Sequence, residues 1–270
     1  AALLETVTEI GGATPLLGVI DVGSNSIRLV VFEDAARAPD YFFNEKTICK
    51  LGEGLAETGR LNPEGKVKAM AALRRFVILA RRMGVSEIVG VGTAAMREAV
   101  DAPAFRDEIA RETGLEIRVA TGREEARLSA NGVMLGWPEA EGVIADLGGA
   151  SLELARVSGG DTHSAVTTPA GHLRLADHTA PGAVDALREL RNAAGAFAPM
   201  QGPLVLIGGA WRGLAKAQMS RVNYPLNVLM GYEMSAEEAL DLCDWALSVA
   251  LPTLKKAAGA SQARLPSIVG

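Results

Sequence analysis

The chain has 270 residues, with 49% hydrophobic and 22% charged side chains, the balance of a globular protein rather than of a disordered or collagen-like one. Its formal net charge of −5 excludes a surface that coats nucleic acid as a whole. The two cysteines, Cys49 and Cys243, form neither a CxxC pair nor a metal spacing, so no disulfide scaffold or zinc site is expected and a reducing cytoplasm fits. Aromatic residues make up only 4%, which points to a core of Ala, Val, Leu and Ile in an α/β interior. No apolar run reaches the ~20 residues of a membrane helix, and the N-terminus lacks the basic segment of a signal peptide, so neither membrane insertion nor export is expected.

Residues 1–15 lack a clear period and read as a loosely attached tail. LLGVID (16–21) reads as a buried strand, GSNS (23–26) as a tight turn and IRLVVF (27–32) as the antiparallel partner. YFFNEKTI (41–48) is a third strand, and LGEGLAETGRLN (51–62) a glycine-rich loop. Asn62 as N-cap and Pro63 at the first helical position predict a helix to about Met83, with Leu73, Phe76, Ala80 and Met83 inward. Lys68, Arg75 and Arg82, flanked by Arg74 and Arg81, line the opposite face; this reads as a solvated face, with a polyanion track as the sharper alternative. EIVGVG (87–92) is a strand and TAAMREA (93–99) a short helix; Asp101 is expected to cap a helix ending at Gly114, before strand LEIRVA (115–120). Thr121 and Glu124 have capping-box spacing, which opens a helix with Arg123, Glu124 and Glu125 in its first turn.

The helical pattern stops at Trp137 and Pro138, and GVIADLGGASLELARV (142–157) repeats the opening strand, turn and strand. The expected organisation is therefore a tail (1–15), a first domain (16–136) and a second domain (137–270). In the second, strand DTHSAVTT (161–168), helices near 171–178 and 182–196, strand LVLIGG (204–209) and helix AWRGLAKAQM (210–219) follow. Ser235 and Glu238 cap a last helix to about Val249. SIVG (267–270) ends abruptly, so a C-terminal continuation is expected. His163, His172 and His178 have no metal-site spacing with nearby acids and are expected on the surface or in loops.

The most informative feature is a repeat. DVGSNS (21–26) and DLGGAS (146–151) share the pattern Asp, apolar, Gly, any, any, Ser, each between two apolar strands. In such a turn glycine lets the backbone approach a ligand, N–H and hydroxyl groups can donate to phosphate oxygens, and Asp can hold a divalent cation. One copy alone is usually only a turn. Two copies in matching contexts, with a glycine pair at Gly208–Gly209 after a further strand, favour a phosphate clamp in a cleft between two related domains.

IDVGSNSIRLVV, VGTAAMREA, TGREEARLSANGV, IADLGGASLEL and, more loosely, LIGGAWRGLAKA occur in an order and spacing that resemble the exopolyphosphatase and guanosine pentaphosphate phosphohydrolase family, a branch of the actin, Hsp70 and sugar-kinase superfamily. The resemblance implies an α/β fold of two ribonuclease-H-like (actin-like ATPase) domains with an interdomain cleft. It implies a cytoplasmic phosphoanhydride hydrolase that uses Mg²⁺ or another divalent cation. Inorganic polyphosphate is the expected substrate and guanosine pentaphosphate the alternative; neither nucleic acid nor membrane is an expected partner, and homodimerisation is left open. By the same resemblance Glu125 is the catalytic glutamate and Arg97 a phosphate-binding arginine, while Asp146 and Glu153 are metal ligands. Ser24, Asn25, Ser26, Thr93, Gly148, Gly149, Ser151, Gly208 and Gly209 match the phosphate loops. Ala150 and Leu152 stand where the family usually has Gly and Thr, and Ala210 and Trp211 replace small or hydroxylated residues, which puts metal or phosphate affinity in question. Two readings of another class remain: an ATP-using actin-like or sugar-kinase-like protein, and a non-catalytic polyphosphate-binding protein.

Overall fold

The computed structural model describes residues 16–33, 40–176, 180–199, 202–226 and 228–259. The chain divides into two compact units, one of residues up to Ala140 together with Ser158–Thr162, the other of Glu141–Val157 and the residues from His163 onward. The expected tail at 1–15 and the abrupt end at 267–270 lie outside the described residues.

The first unit runs β1 (Leu17–Val22), β2 (Ser26–Phe32), β3 (Tyr41–Ile48), α1 (Leu55–Thr58), α2 (Pro63–Arg82), β4 (Glu87–Gly92), α3 (Ala94–Glu98), α4 (Ala102–Thr113), β5 (Ile117–Val119) and α5 (Gly122–Gly136). Its mixed sheet has the order β3-β2-β1-β4-β5: the first three strands form antiparallel neighbours and β4 and β5 add in parallel. Alternation along β1 and β2 sends Ile20, Val22, Ile27, Leu29 and Val31 to one face. They pack there in one core with Leu73, Phe76 and Ala80 of α2 and with Phe105 and Ile109 of α4. Phe76 is fully buried, so truncating it to Ala would cost about 3–5 kcal/mol. The start of α2 is as expected, with Pro63 in the first turn and the Asn62 side chain accepting from the Glu64 N–H at 3.1 Å.

The second unit runs β6 (Gly142–Leu147), β7 (Leu152–Ser158), β8 (Asp161–Thr168), α6 (Pro181–Gly195), β9 (Leu204–Gly208), α7 (Gly209–Arg221), α8 (Ala236–Ser248) and α9 (Leu251–Ala258). Its sheet order, β8-β7-β6-β9, repeats the first four places of the other sheet, with an antiparallel hairpin and a parallel fourth strand. Val143, Ala145, Leu152, Leu154, Ala170, Ala186 and Phe197 form its core, and Ala217, Leu242, Leu254 and Ala258 join the last helices. The α/β architecture with two sheets built on one plan is thus observed. Among the described residues no helix is long and apolar enough to cross a membrane.

Three expectations need correction. The segment expected as a helix near 171–178 is a turn over 172–176, with 177–179 outside the described residues. The glycine-rich loop contains the short α1, and α9 was not anticipated. Asp101 precedes α4 but makes no side-chain cap; its carboxylate accepts from the Leu61 N–H at 2.9 Å and from Lys66 Nζ at 3.2 Å. Partial burial pushes this carboxyl up, but the Leu61 amide and the Lys66 ammonium outweigh it, so Asp101 titrates below its ordinary value. His172 lies in the 172–176 turn, as expected of a loop residue, and is buried there.

Candidate functional site

In the first hairpin the Gly23 N–H donates to the Ser26 carbonyl at 3.0 Å; in the second the Gly148 N–H donates to the Ser151 carbonyl at 2.9 Å. The repeated motif therefore folds twice into the same turn. Parallel pairing then brings a second strand end beside each turn: Val22 lies opposite Gly92, and Leu147 opposite Gly208. Thr93 and α3 start next to the first turn as a consequence, and Gly209 and α7 next to the second.

Ser24 is buried, and its Oγ accepts from the Ala95 N–H at 3.1 Å, which ties the first turn to α3. Asn25 and Ser26 are half-buried beside it. Thr93 donates its backbone N–H to the Val22 carbonyl at 3.2 Å, and its hydroxyl makes no cap to α3. One turn along α3, Arg97 Nη1 donates to the Ala120 carbonyl at 3.0 Å and to Glu125 Oε2 at 3.0 Å. The side chains of this pair are 23% and 17% exposed.

The two adjacent acids of α5 have separate roles. Glu124 closes the capping box, its carboxylate accepting from the Thr121 N–H at 2.8 Å while its own N–H donates to Thr121 Oγ1 at 3.2 Å, and it also meets Arg118 at 3.0 Å. Those bonds from Thr121 and Arg118 hold its carboxyl below the ordinary glutamate value. Glu125, about 100° further round the helix, turns to Arg97 instead.

In the second unit Asp146 and Glu153 are direct cross-strand partners, so their side chains leave the same face. Glu153 is 2% exposed and accepts from Thr167 Oγ1 at 2.8 Å. Two neighbouring carboxylates, one of them buried, suit a hard divalent cation, since Mg²⁺ is commonly bound by one or two carboxylates together with water and phosphate oxygens. No cluster of three His, Cys, Asp or Glu side chains with metal-binding geometry occurs among the described residues. Ser151 is buried, and Gly148 and Gly149 are half-buried. Gly208 has φ 118°, and a Cβ there would lie 2.6 Å from the Leu147 carbonyl oxygen, so a side chain is excluded; Gly209 meets nothing within 4 Å.

The unusual residues are accommodated by packing. Leu152 belongs to the apolar core of the second unit, Ala150 and Ala210 are buried, and Trp211 packs partly buried against the same core. The basic face of α2 is largely engaged: Arg74 pairs with Glu112, Arg75 with Glu45 and Lys68 with Glu64, while Arg81 donates to the Thr113 carbonyl. That pairing favours the solvated-face reading over a polyanion track.

Sequence reasoning missed the segments that hold the two turns from behind. Gly52 donates to the Ser24 carbonyl at 2.7 Å, and Cys49 and Lys50 to the Asn25 carbonyl at 3.0 and 2.9 Å. His172 donates to the Gly148 carbonyl at 3.1 Å and Leu173 to the Gly149 carbonyl at 2.8 Å. The available signal was a glycine, Gly52 or Gly171, within four residues of the end of the third strand in each half.

The sequence profile of the Ppx/GppA phosphatase family matches residues 30–270. Exopolyphosphatase 1 of Mycobacterium tuberculosis is 31% identical over 163 residues, which is 59% of this chain and 47% of that protein. The Mycobacterium leprae counterpart is also 31% identical over 163 residues, 59% of this chain and 48% of the relative. The chain thus spans about half the length of the curated relatives it matches. Among solved structures, an exopolyphosphatase from Cytophaga hutchinsonii matches with a TM-score of 0.80 at 22% identity, over 94% of this chain and 86% of the other. A Ppx/GppA phosphatase of Aquifex aeolicus, the type II variant, matches with a TM-score of 0.69 at 22% identity, over 94% and 88%. These structures share the fold, and the family profile matches most of the chain: the chain belongs to the Ppx/GppA phosphatase family.

Proposed function

We propose that this chain is a metal-dependent exopolyphosphatase that removes the terminal phosphate of inorganic polyphosphate. The observation that carries the reading is the duplicated turn, the same Gly-to-Ser hydrogen bond closing an Asp-x-Gly-x-x-Ser loop in each unit. The kinship with mycobacterial proteins named exopolyphosphatase supports polyphosphate over guanosine pentaphosphate. The free thiols Cys49 and Cys243 suit a cytoplasmic setting.

In the first unit Glu125, oriented by Arg97, takes a proton from water as the water oxygen bonds to the terminal phosphorus. The bridging P–O bond breaks, and the shortened chain leaves with the electron pair on its terminal oxygen. The Arg97 guanidinium adds positive charge near the developing anion. In the second unit Asp146 and Glu153 hold a divalent cation such as Mg²⁺, which when bound offsets charge on phosphate oxygens. Asn25, Ser26, Thr93, Gly148, Gly149 and Gly209 contribute donors to phosphate, whereas Ser24 acts by fixing the first turn to α3.

Phosphate release from long-chain polyphosphate and from guanosine pentaphosphate, each with and without Mg²⁺, tests the proposal. Metal-dependent release with polyphosphate as the better substrate is expected. Release only from the nucleotide would transfer the reading to pentaphosphate hydrolysis, ATP-dependent phosphorylation of an acceptor would favour the kinase-like alternative, and binding without release would leave a polyphosphate-binding protein.

A further inference from the structure

We propose that Gly171 and Gly52 are positioning residues for phosphate binding. Each lets a backbone clasp seize the carbonyl oxygens of one turn and thereby aim that turn's N–H groups at the ligand. The inference rests on the reading that these turns hold phosphate.

A trans peptide is planar, with its carbonyl oxygen and the following N–H on opposite sides. Where the Gly148 and Gly149 carbonyls are held by the His172 and Leu173 amides, the N–H groups of Gly149 and Ala150 must point away from that clasp. The same holds in the other unit. The Ser24 carbonyl is taken by Gly52, and the Asn25 carbonyl by Cys49 and Lys50, so the N–H groups of Asn25 and Ser26 point the other way. Among the described residues no backbone carbonyl accepts from the N–H of Asn25, Gly149 or Ala150. Successive N–H groups turned to one side form a concavity suited to anionic oxygens.

Both clasps follow the third strand of their sheet, so the repeat extends beyond the hairpins to a device neither motif encodes. Both also require close approach. A Cβ on Gly171 would lie 2.2 Å from the Ala150 carbonyl carbon, 2.3 Å from the Ser151 nitrogen and 2.4 Å from the Gly149 oxygen. On Gly52 it would lie 2.9 Å from the Ser24 Cβ, a milder conflict. At the first clasp Lys50 takes the left-handed φ of 58°, which is uncommon outside glycine and lets consecutive amides reach one carbonyl.

The test is the affinity of the full chain for inorganic phosphate and tripolyphosphate, measured by calorimetry and, for phosphate, as product inhibition, in Gly171→Ala and Gly52→Ala. Each variant is expected to weaken both ligands at least tenfold and to raise KM for polyphosphate alike. The Mg²⁺ concentration for half activity should change less than threefold, because Asp146 and Glu153 sit on a strand ladder the clasp does not touch. A purely structural role would lower thermal stability and the active fraction while leaving phosphate affinity of the folded protein unchanged, and that result in either variant overturns the proposal. Should Gly171→Ala not fold, Gly52→Ala decides, and wild-type phosphate affinity within twofold refutes the clasp. If the wild type binds tripolyphosphate but releases no phosphate, the proposed function fails while the calorimetric comparison still judges the clasp. If the wild type binds neither ligand, both readings fall.

Discussion

Replacing Glu125 by Gln separates catalysis from structure, because the local geometry limits what the fold can lose. The substitution keeps size and an acceptor for Arg97 Nη1, now at 3.0 Å from Glu125 Oε2, and removes only the charge. A charge-assisted hydrogen bond exceeds a neutral one by about 1 kcal/mol, and the pair is partly exposed, so about 1 kcal/mol of stability is the upper range. A domain stable by about 5–15 kcal/mol stays folded after such a loss. Turnover, by contrast, is expected to fall by roughly 10²–10⁴, the range for removing a general base. At 1.36 kcal/mol per tenfold this is about 3–5 kcal/mol of barrier, several times the structural effect. Glu124→Gln is the matched control: glutamine also serves in a capping box, and the carboxylate it replaces is engaged with Thr121 and Arg118. Phosphate release at saturating polyphosphate and metal, with binding measured separately, reads both variants. Wild-type turnover in Glu125→Gln with loss in Glu124→Gln would shift the assignment by one residue, and unchanged turnover in both would refute the hydrolytic role.

The remaining expectations probe charge. Because the Asp101 carboxyl titrates below its ordinary value, the stability it contributes is complete above the unfolded pKa of about 3.9 and drains as pH falls through the lower folded value. Asp101→Asn should therefore cost about 1–2 kcal/mol in denaturant unfolding at pH 7, with a smaller deficit at pH 3; an equal deficit at both would contradict the Lys66 pairing. Arg75→Ala with Arg82→Ala should change KM for tripolyphosphate and for long chains by the same factor, since Arg75 is paired with Glu45; a larger loss on long chains, with a flatter salt dependence, would revive the polyanion track. Asp146→Asn should raise the Mg²⁺ concentration for half activity well above that of Asp21→Asn, and a reversed order would place the cation on the first hairpin.

What could be read from the sequence was what a few neighbouring residues decide. The Thr121–Glu124 and Ser235–Glu238 capping boxes, the Asn62–Pro63 helix start and the two hairpins each depend on partners close in the chain, and each forms as expected. What escaped depends on partners distant in the chain. Residues 172–176 do not extend a helix because the His172 and Leu173 amides go to carbonyls of Gly148 and Gly149. Asp101 leaves its own helix uncapped because the Leu61 amide and Lys66, 40 and 35 residues earlier, supply better donors. Likewise the charge stripe on α2 looked free only because Glu45 and Glu112 lie on other elements. The adjacent acids Glu124 and Glu125 show both cases: one goes to the cap that the capping-box spacing predicts, the other to Arg97 on a different helix.

The two hairpins share a turn but differ in the charges that face each other across their ladders. Seven residues after the motif aspartate the first hairpin has Arg28 and the second Glu153, and in each case this residue lies directly across the ladder from the aspartate. Asp21 and Arg28 are exposed and opposite in sign, a cross-strand arrangement that is favourable by itself. Asp146 is half-buried and Glu153 buried, and like charges directly opposite repel. Burying a second carboxylate beside the first is tolerable where positive charge offsets it, and on the metal-dependent reading proposed above a divalent cation would do so. On that proposal both turns would serve phosphate, while the exchange of Arg28 for Glu153 at the eighth position of the repeat would leave the metal to the second. The Arg28 side chain is held through Nε by Asn44 Oδ1 at 2.8 Å, so the first hairpin sets a fixed cation across from its aspartate where the second sets an acid.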